Sequence, residues 1–264
     1  MRIPGLVLVL VIACLAVPGC ATQQEDDSMF KSASNTTGDE TSERMRARIH
    51  TELAAGYYGL GNIRVALEEV KDALRADPTY SPAQNVAGLI YSQLKEDALA
   101  EQSYQRALSL SPGDYDANNN YGEFLCQRKR EQESIRYFLA AVRNPLYPTP
   151  DRSYVNAGVC SRRSGDMASA EKYFVMALKV RPTQAQALYQ MAEITYTRGN
   201  YGEAKNYLNR LTKVAPASAE VLWLGVRVER RLGDRNSEAS YALQLRNKFP
   251  GSTEAQALSA GQFE

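Results

Sequence analysis

The chain has 264 residues, of which 44% are hydrophobic and 23% are charged, an ordinary composition for a globular protein. Its formal net charge is +1, so no basic excess indicates nucleic-acid binding. His50 is the single histidine, which argues against a histidine-based metal cluster or a Ser-His-Asp triad. No paired-carboxylate or nucleophile–base pattern is present. The sequence therefore predicts a non-enzymatic protein with no cofactor, no nucleic-acid partner and no small-molecule substrate.

The first nineteen residues have the organisation of a secretory signal: Met1-Arg2 is positively charged, and residues 3–17 are almost wholly apolar. Val17-Pro18-Gly19-Cys20 resembles a bacterial lipobox, although Pro18 replaces the usual small residue. We therefore predict a lipoprotein signal peptide over residues 1–19 and a covalently attached lipid at Cys20. A plain cleaved signal and an uncleaved anchor are the alternatives.

The residues after Cys20 predict where the protein resides. Ala21 stands where aspartate would be a retention signal, and by the usual sorting rule for such lipoproteins this directs the chain to the outer membrane, facing the periplasm. Residues 20–45 are rich in Ser, Thr, Gln, Asp and Glu and have almost no apolar content. Such a segment cannot bury enough surface to offset its conformational entropy, so we expect a lipidated flexible tether.

From residue 46 onward, prolines punctuate a helix-forming sequence at a period of 34. They are Pro78, Pro112, Pro182, Pro216 and Pro250, with two periods plus two residues between the second and third. This period is typical of tetratricopeptide repeats (TPRs), each of which is a pair of helices. Taking the proline as position 32 gives six repeats, at residues 47–80, 81–114, 115–150, 151–184, 185–218 and 219–251. The sequence predicts an all-α superhelical solenoid over residues 46–251, with a C-terminal capping helix at 252–264.

Other repeat positions agree with this assignment. Position 15, the turn between the paired helices, is glycine in four of six repeats, which suits a helix end with positive φ. Position 8, where the paired helices cross, carries small residues until the last repeat, reading Ala54, Gly88, Gly122, Gly158, Ala192 and then Val226. Position 20 of the last repeat is Glu238 instead of a small residue. We therefore expect the sixth repeat to be a degenerate capping repeat.

Cys126 and Cys160 fall on the first helices of repeats 3 and 4, which should be neighbours. Two otherwise unused cysteines in a secreted domain favour pairing in the oxidising periplasm. We predict a disulfide between them. Two buried free thiols in a helical core are the alternative.

The first helices of stacked TPRs line a concave groove, and their positions 2, 5, 9 and 12 should face it. Amides, charges and tyrosines at these positions suit an extended or helical peptide, whereas a merely solvated face is the alternative. Within Asn118-Asn119-Asn120 we expect Asn119 to face the groove. The candidate partner-binding residues are Asn85, Asn119, Glu123, Arg152, Arg162, Tyr189, Glu193 and Tyr196.

Together with Cys20 and the six repeats, three segments make the chain resemble the PilF/PilW family of type IV pilus biogenesis lipoproteins. They are residues 119–126, 144–150 and 239–246. The proline-rich middle segment is the most specific, because ordinary TPR proteins lack it. By itself that segment could be a tolerated inter-repeat loop or a rigid protrusion that fixes a partner.

The resemblance implies a pilotin, which helps the secretin to reach the outer membrane and to multimerise there. The secretin of the type IV pilus is then the expected protein partner, and the lipid is the membrane contact. A general envelope scaffold, serving outer-membrane protein assembly or peptidoglycan enzymes, is the alternative.

The lipid assignment predicts the outcome of a Cys20→Ser substitution. Without an acylated residue the variant should leave the outer-membrane fraction, while its helical repeats still fold because residue 20 precedes them. Membrane fractionation checks the first expectation, and far-UV circular dichroism of the purified variant checks the second. Retention of the variant in the outer membrane would contradict anchoring through Cys20.

Overall fold

In the computed structural model, the described residues 41–263 form thirteen α-helices and no strand, which confirms the all-α solenoid class. Within this range no helix is both long enough and apolar enough to cross a membrane. The helices are α1 (Ser42–Gly59), α2 (Ile63–Ala76), α3 (Ser81–Gln93), α4 (Asp97–Leu110), α5 (Tyr115–Gln127), α6 (Glu131–Arg143), α7 (Pro150–Arg163), α8 (Met167–Val180), α9 (Ala185–Thr197), α10 (Tyr201–Leu211), α11 (Ala219–Leu232), α12 (Arg235–Lys248) and α13 (Thr253–Ala260).

The N-terminal boundary of the repeats lies earlier than the sequence predicted. Helix α1 begins at Ser42, so the expected tether over residues 20–45 is wrong for its last four residues. Three of these four residues are polar, but the helix is held by contacts further along the chain: Arg44 pairs with Asp77 at 3.0 Å, and Ala47 is fully buried. The signal peptide over 1–19, Cys20 and the rest of the tether lie outside the described residues.

The first twelve helices pack as six consecutive pairs, from α1 with α2 to α11 with α12. In each pair a small residue on the first helix meets a larger side chain sixteen residues later. Gly158 and Phe174 illustrate how close this crossing is, because a Cβ built on Gly158 would lie 2.6 Å from the Phe174 ring. Any side chain there would displace a fully buried ring from a close-packed core.

The turns between paired helices have left-handed backbone, as predicted. Gly61, Gly165, Gly199 and Gly233 have φ values of 75°, 84°, 82° and 77°. Repeats 2 and 3 use Lys95 and Lys129 at the same position, with φ values of 66° and 61°. A lysine adopts this conformation at a cost that glycine avoids, so the tight pairing of the helices imposes the turn even where the sequence disfavours it.

The sixth repeat is not degenerate at its helix crossing, which corrects the prediction made from Val226 and Glu238. A Cβ built on Gly225 would lie 2.7 Å from the Tyr241 ring, the same close approach as in earlier repeats. Only the crossing is displaced: 33 residues separate Gly225 from Ala192, its counterpart in repeat 5, whereas the turns at Gly199 and Gly233 keep the spacing of 34. A fixed period of 34 therefore placed Val226 at the wrong position.

The expected C-terminal helix is α13, and it covers the last pair. Ala255 and Leu258 of α13 join Leu222, Val226 and Leu245 in one buried cluster. Val226 is thus fully buried for a different reason from the small crossing residues: it is part of the core that α13 seals. This single helix supplies the apolar cover that a seventh repeat would otherwise provide.

The proline-rich segment before α7 is fastened to the start of α5 and to the loop that precedes α5. The Tyr147 ring stacks on Tyr115 with centroids 4.8 Å apart, and the Asn144 side-chain amide donates to the carbonyl of Gly113 at 2.7 Å. Leu146, by contrast, is 79% exposed at the tip. The segment is therefore a fixed loop that presents one apolar side chain.

The Gly225–Tyr241 contact makes a prediction about stability. Gly225→Ala should lower the free energy of unfolding by about 1–3 kcal/mol, because the added methyl group overpacks the crossing. Gly56→Ala is the matched control: it also lies within a helix but has no atom within 4 Å of the added Cβ, so it should raise stability by up to about 1 kcal/mol. Urea denaturation followed by circular dichroism measures both. Equal stability of the two variants would contradict a helix crossing at Gly225 in repeat 6.

Candidate functional site

Polar side chains join the first helices of neighbouring repeats along the concave side. The Asn120 amide donates to Asn85 Oδ1 at 3.2 Å, which connects α5 to α3. On the other side of α5, Ser153 Oγ and Asn156 Nδ2 of α7 donate to Asn119 Oδ1 at 2.7 and 3.1 Å. These bonds fix the positions of α3, α5 and α7 relative to one another.

Two of the eight predicted groove residues hold neighbouring helices together and are not accessible to a partner. Asn85 is 7% exposed and Asn119 is 2% exposed, so the prediction that they bind a partner is wrong. The amide oxygen of each already accepts a bond from a neighbouring helix. Asn120, the next residue of the asparagine run, takes the place expected for Asn119 and lines an open cleft.

This N-terminal cleft has a volume of about 360 Å³ and lies among the first helices of repeats 1 to 4. The predicted residues Glu123 and Arg152 both lie on it and are exposed. Its walls combine aromatic and aliphatic surface with amide and charged groups. Its defining residues are Tyr58, Leu89, Asn120, Glu123, Phe124 and Arg152.

The charges at the N-terminal cleft are of both signs. Burial, and then the charge of Asp114, raises the pKa of the Asp116 carboxyl, while Arg152 opposes this shift. Glu123 and Arg152 stand at the surface of the same cleft. The cleft thus offers a hydrogen-bond donor, hydrogen-bond acceptors and apolar surface. A peptide carries groups that complement each of these.

Further along the concave side, Arg162, Tyr189 and Glu193 form one hydrogen-bonded group. Arg162 of α7 donates to Glu193 Oε2 at 2.7 Å, and the Tyr189 hydroxyl donates to Glu193 Oε1 at 3.1 Å. Burial, followed by the charge of Glu193, raises the pKa of the Tyr189 phenol, so it stays a neutral donor. The structure thus brings these three predicted residues together, with α9 bonded to α7.

The last predicted residue, Tyr196, lies in a second space that sequence reasoning missed. This pocket of about 680 Å³ lies between α9, α11 and the segment after α13. We call it the arginine pocket, and its defining residues are Tyr196, Arg227, Arg230, Arg231, Gln262 and Phe263. The sequence did contain a signal for this pocket. Arg227 and Arg230 occupy positions 9 and 12 of the repeat at 219–251, and the same two positions of the preceding repeat were the reason for predicting Glu193 and Tyr196.

Comparison with known proteins agrees with this architecture. Tetratricopeptide repeat models match residues 51–115, 98–149 and 162–224. Type IV pilus assembly protein PilF of Pseudomonas aeruginosa is 30% identical over 152 residues, which are 58% of this chain and 60% of that protein. The chain thus aligns with less than two thirds of this curated relative.

Two solved structures match over almost their whole length. That of Pseudomonas aeruginosa PilF has a TM-score of 0.77 and 30% sequence identity, and the match covers 84% of this chain and 100% of PilF. The crystal structure of PilW, described as a widely conserved type IV pilus biogenesis factor, has a TM-score of 0.71 and 35% identity, with 80% and 97% covered. The chain belongs to the PilF/PilW family. The resemblance seen in the sequence is confirmed, and the family is one of TPR proteins, whose fold serves protein interaction.

In this PilF/PilW-family protein, Cys126 and Cys160 form a disulfide between α5 and α7. Their Cα atoms are 5.9 Å apart, within the range that a disulfide requires. The free-thiol alternative does not describe this structure. The bridge lies where α6 also packs on α7 and where the proline-rich segment joins the two repeats, so it links repeats 3 and 4 covalently at their most irregular connection.

The disulfide predicts a measurable loss of stability. The bridge spans a sequence separation of 34, and closing such a loop stabilises by about 3–4 kcal/mol in the chain-entropy model. A Cys126→Ala/Cys160→Ala variant should lower the free energy of unfolding by up to that amount, and a reductant should destabilise the wild type but not the variant. Urea denaturation with and without reductant measures both. Alkylation of both thiols in the unreduced, denatured protein would contradict the bridge.

Proposed function

We propose that this protein is an outer-membrane lipoprotein, held at the periplasmic face through Cys20, that acts as a pilotin in type IV pilus biogenesis. In this role its TPR solenoid binds secretin subunits and promotes their localisation and multimerisation. Family membership supports a role in pilus biogenesis. The concave face, which runs from the N-terminal cleft past the Arg162 group to the arginine pocket, supports a scaffold that holds a protein partner.

The N-terminal cleft is the single observation that carries the proposal. It combines the exposed charges of Glu123 and Arg152 with the partly exposed ring of Tyr58 and the amide of Asn120. The amide can donate to and accept from a peptide backbone, and the ring offers an apolar anchor. Because α3, α5 and α7 are tied by hydrogen bonds, the cleft is pre-formed and the partner bears most of the ordering cost.

No chemical catalysis is needed for the proposed role. A lipid anchor confines the scaffold to the membrane surface, and bound secretin subunits share that confinement. Their effective concentration rises, which favours ring closure without any new contact between subunits.

Deletion of the gene tests the function. We expect the deletion strain to lose heat-stable secretin multimers and surface pili, and the wild-type gene to restore both. Immunoblotting of the secretin in outer-membrane fractions and a twitching-motility assay are the measurements. Normal secretin rings and normal motility in the deletion strain would overturn the pilotin proposal.

A charge reversal in the N-terminal cleft tests where the partner binds. Glu123→Arg should reduce capture of secretin by the purified, immobilised protein at least tenfold, because it replaces an acceptor with a like-charged neighbour of Arg152. Glu68→Arg is the matched control, since Glu68 is an equally exposed glutamate on α2, the second helix of its pair. Both variants should keep the wild-type melting curve. Equal capture by the two variants would exclude the cleft as the binding site.

A further inference from the structure

The arginine pocket concentrates positive charge at the C-terminal end of the concave face. Three arginines line it, and its described lining residues include no aspartate or glutamate. The chain as a whole has a net charge of only +1, so this concentration is local. Glu229, the buried acid of α11, is neutralised by Lys205 at 2.8 Å, and Glu238 of α12 pairs with Arg230 at 2.9 Å.

Aromatic rings hold two of the guanidinium groups in place. The Arg227 guanidinium lies 4.9 Å from the Tyr196 ring centroid, and the Arg230 guanidinium lies 3.9 Å from that of Phe263. A guanidinium held over a ring is restrained in position, and its N–H groups can still donate to an acceptor. The pocket therefore presents pre-oriented donors.

The donors of Arg227 and Arg230 are only partly satisfied by the described residues. Arg230 donates through Nη1 to Glu238 at 2.9 Å. The buried Nε of Arg227 has no hydrogen-bond partner among the described residues. Among the described residues the Arg227 side chain makes ring contacts but no hydrogen bond, so its outer N–H groups are left for an acceptor that enters the pocket.

We infer that the arginine pocket binds carboxylate side chains of an acidic, aromatic-containing peptide segment of a partner protein. The planar fork of an arginine matches the two oxygens of a carboxylate, and the rings of Tyr196 and Phe263 offer apolar contact beside it. The inference rests on the proposed protein-binding function and adds the chemistry of a second contact. A peptide is favoured over a nucleic acid because the pocket is a local end of the concave face, without the basic stripe that tracks a phosphate backbone.

Trp223 makes the pocket directly observable. It is the one tryptophan of the sequence, it stacks on Phe263 with centroids 5.6 Å apart, and the Arg227 guanidinium lies 5.9 Å from its ring. Titration of the full mature protein with the blocked peptide Glu-Phe-Glu-Phe-Glu should therefore change tryptophan fluorescence in a saturable way. The matched peptide Gln-Phe-Gln-Phe-Gln should bind at least tenfold more weakly.

Substitutions of the arginines complete the test. Arg227→Gln and Arg230→Gln should each weaken binding of the fluorescein-labelled glutamate peptide at least tenfold, as measured by anisotropy, and Arg227→Lys should not restore it. Arg64→Gln, which removes an exposed arginine from α2, is the control and should bind as wild type. Circular dichroism of each variant checks folding.

Three outcomes would overturn the inference: equal affinity for the two peptides, an equal effect of Arg64→Gln, or tighter binding of single-stranded DNA of the same charge. The inference and the proposed function fail separately. Failure of the wild-type protein to bind the glutamate peptide, together with intact secretin capture, removes only the pocket's role. Peptide binding at the arginines, together with a normal deletion strain, removes only the pilotin role.

Discussion

The close crossing of two helices is the constraint on which the rest of the structure depends. A small residue on the first helix admits a larger side chain from the second, and the glycine crossings at Gly88, Gly122, Gly158 and Gly225 leave no room for a Cβ. Neither helix of a pair can bury its apolar face alone, so the pairs stack and share their cores. The concave face exists because this stacking sets the first helices side by side.

That face is stiffened where the repeat pattern is least regular. Between repeats 3 and 4, the loop anchored by Tyr147 and the Cys126–Cys160 disulfide fix α5 to α7, and Asn119 accepts two hydrogen bonds from α7. The binding surfaces on either side therefore keep a defined separation. A partner that contacts both the N-terminal cleft and the arginine pocket would meet a scaffold with a preset spacing.

Sequence reasoning went wrong by single residues, and the reason is geometric. Neighbouring residues of a helix differ by about 100° in direction, so a period alone does not decide whether Asn119 or Asn120 faces the cleft. The hydrogen bonds to Asn85 and Ser153 decide it. In repeat 6 the crossing lies one residue early, at Gly225 instead of Val226, although the turn at Gly233 keeps the period.

The sequence by itself determined the helical class, the six repeats, the glycine turns and the family, and it predicted the pairing of Cys126 with Cys160 without excluding two free thiols. It could do so because close helix crossings require small residues at a fixed spacing, and each repeat carries these residues within its own short stretch of sequence. Only the tertiary structure decided which polar residues hydrogen-bond neighbouring helices together and which are accessible to a partner. It alone brings together the residues of the arginine pocket. Tyr196, Arg227 and Phe263 come from three separate elements, and their meeting depends on the stacking of whole repeats and on how α13 closes the last one.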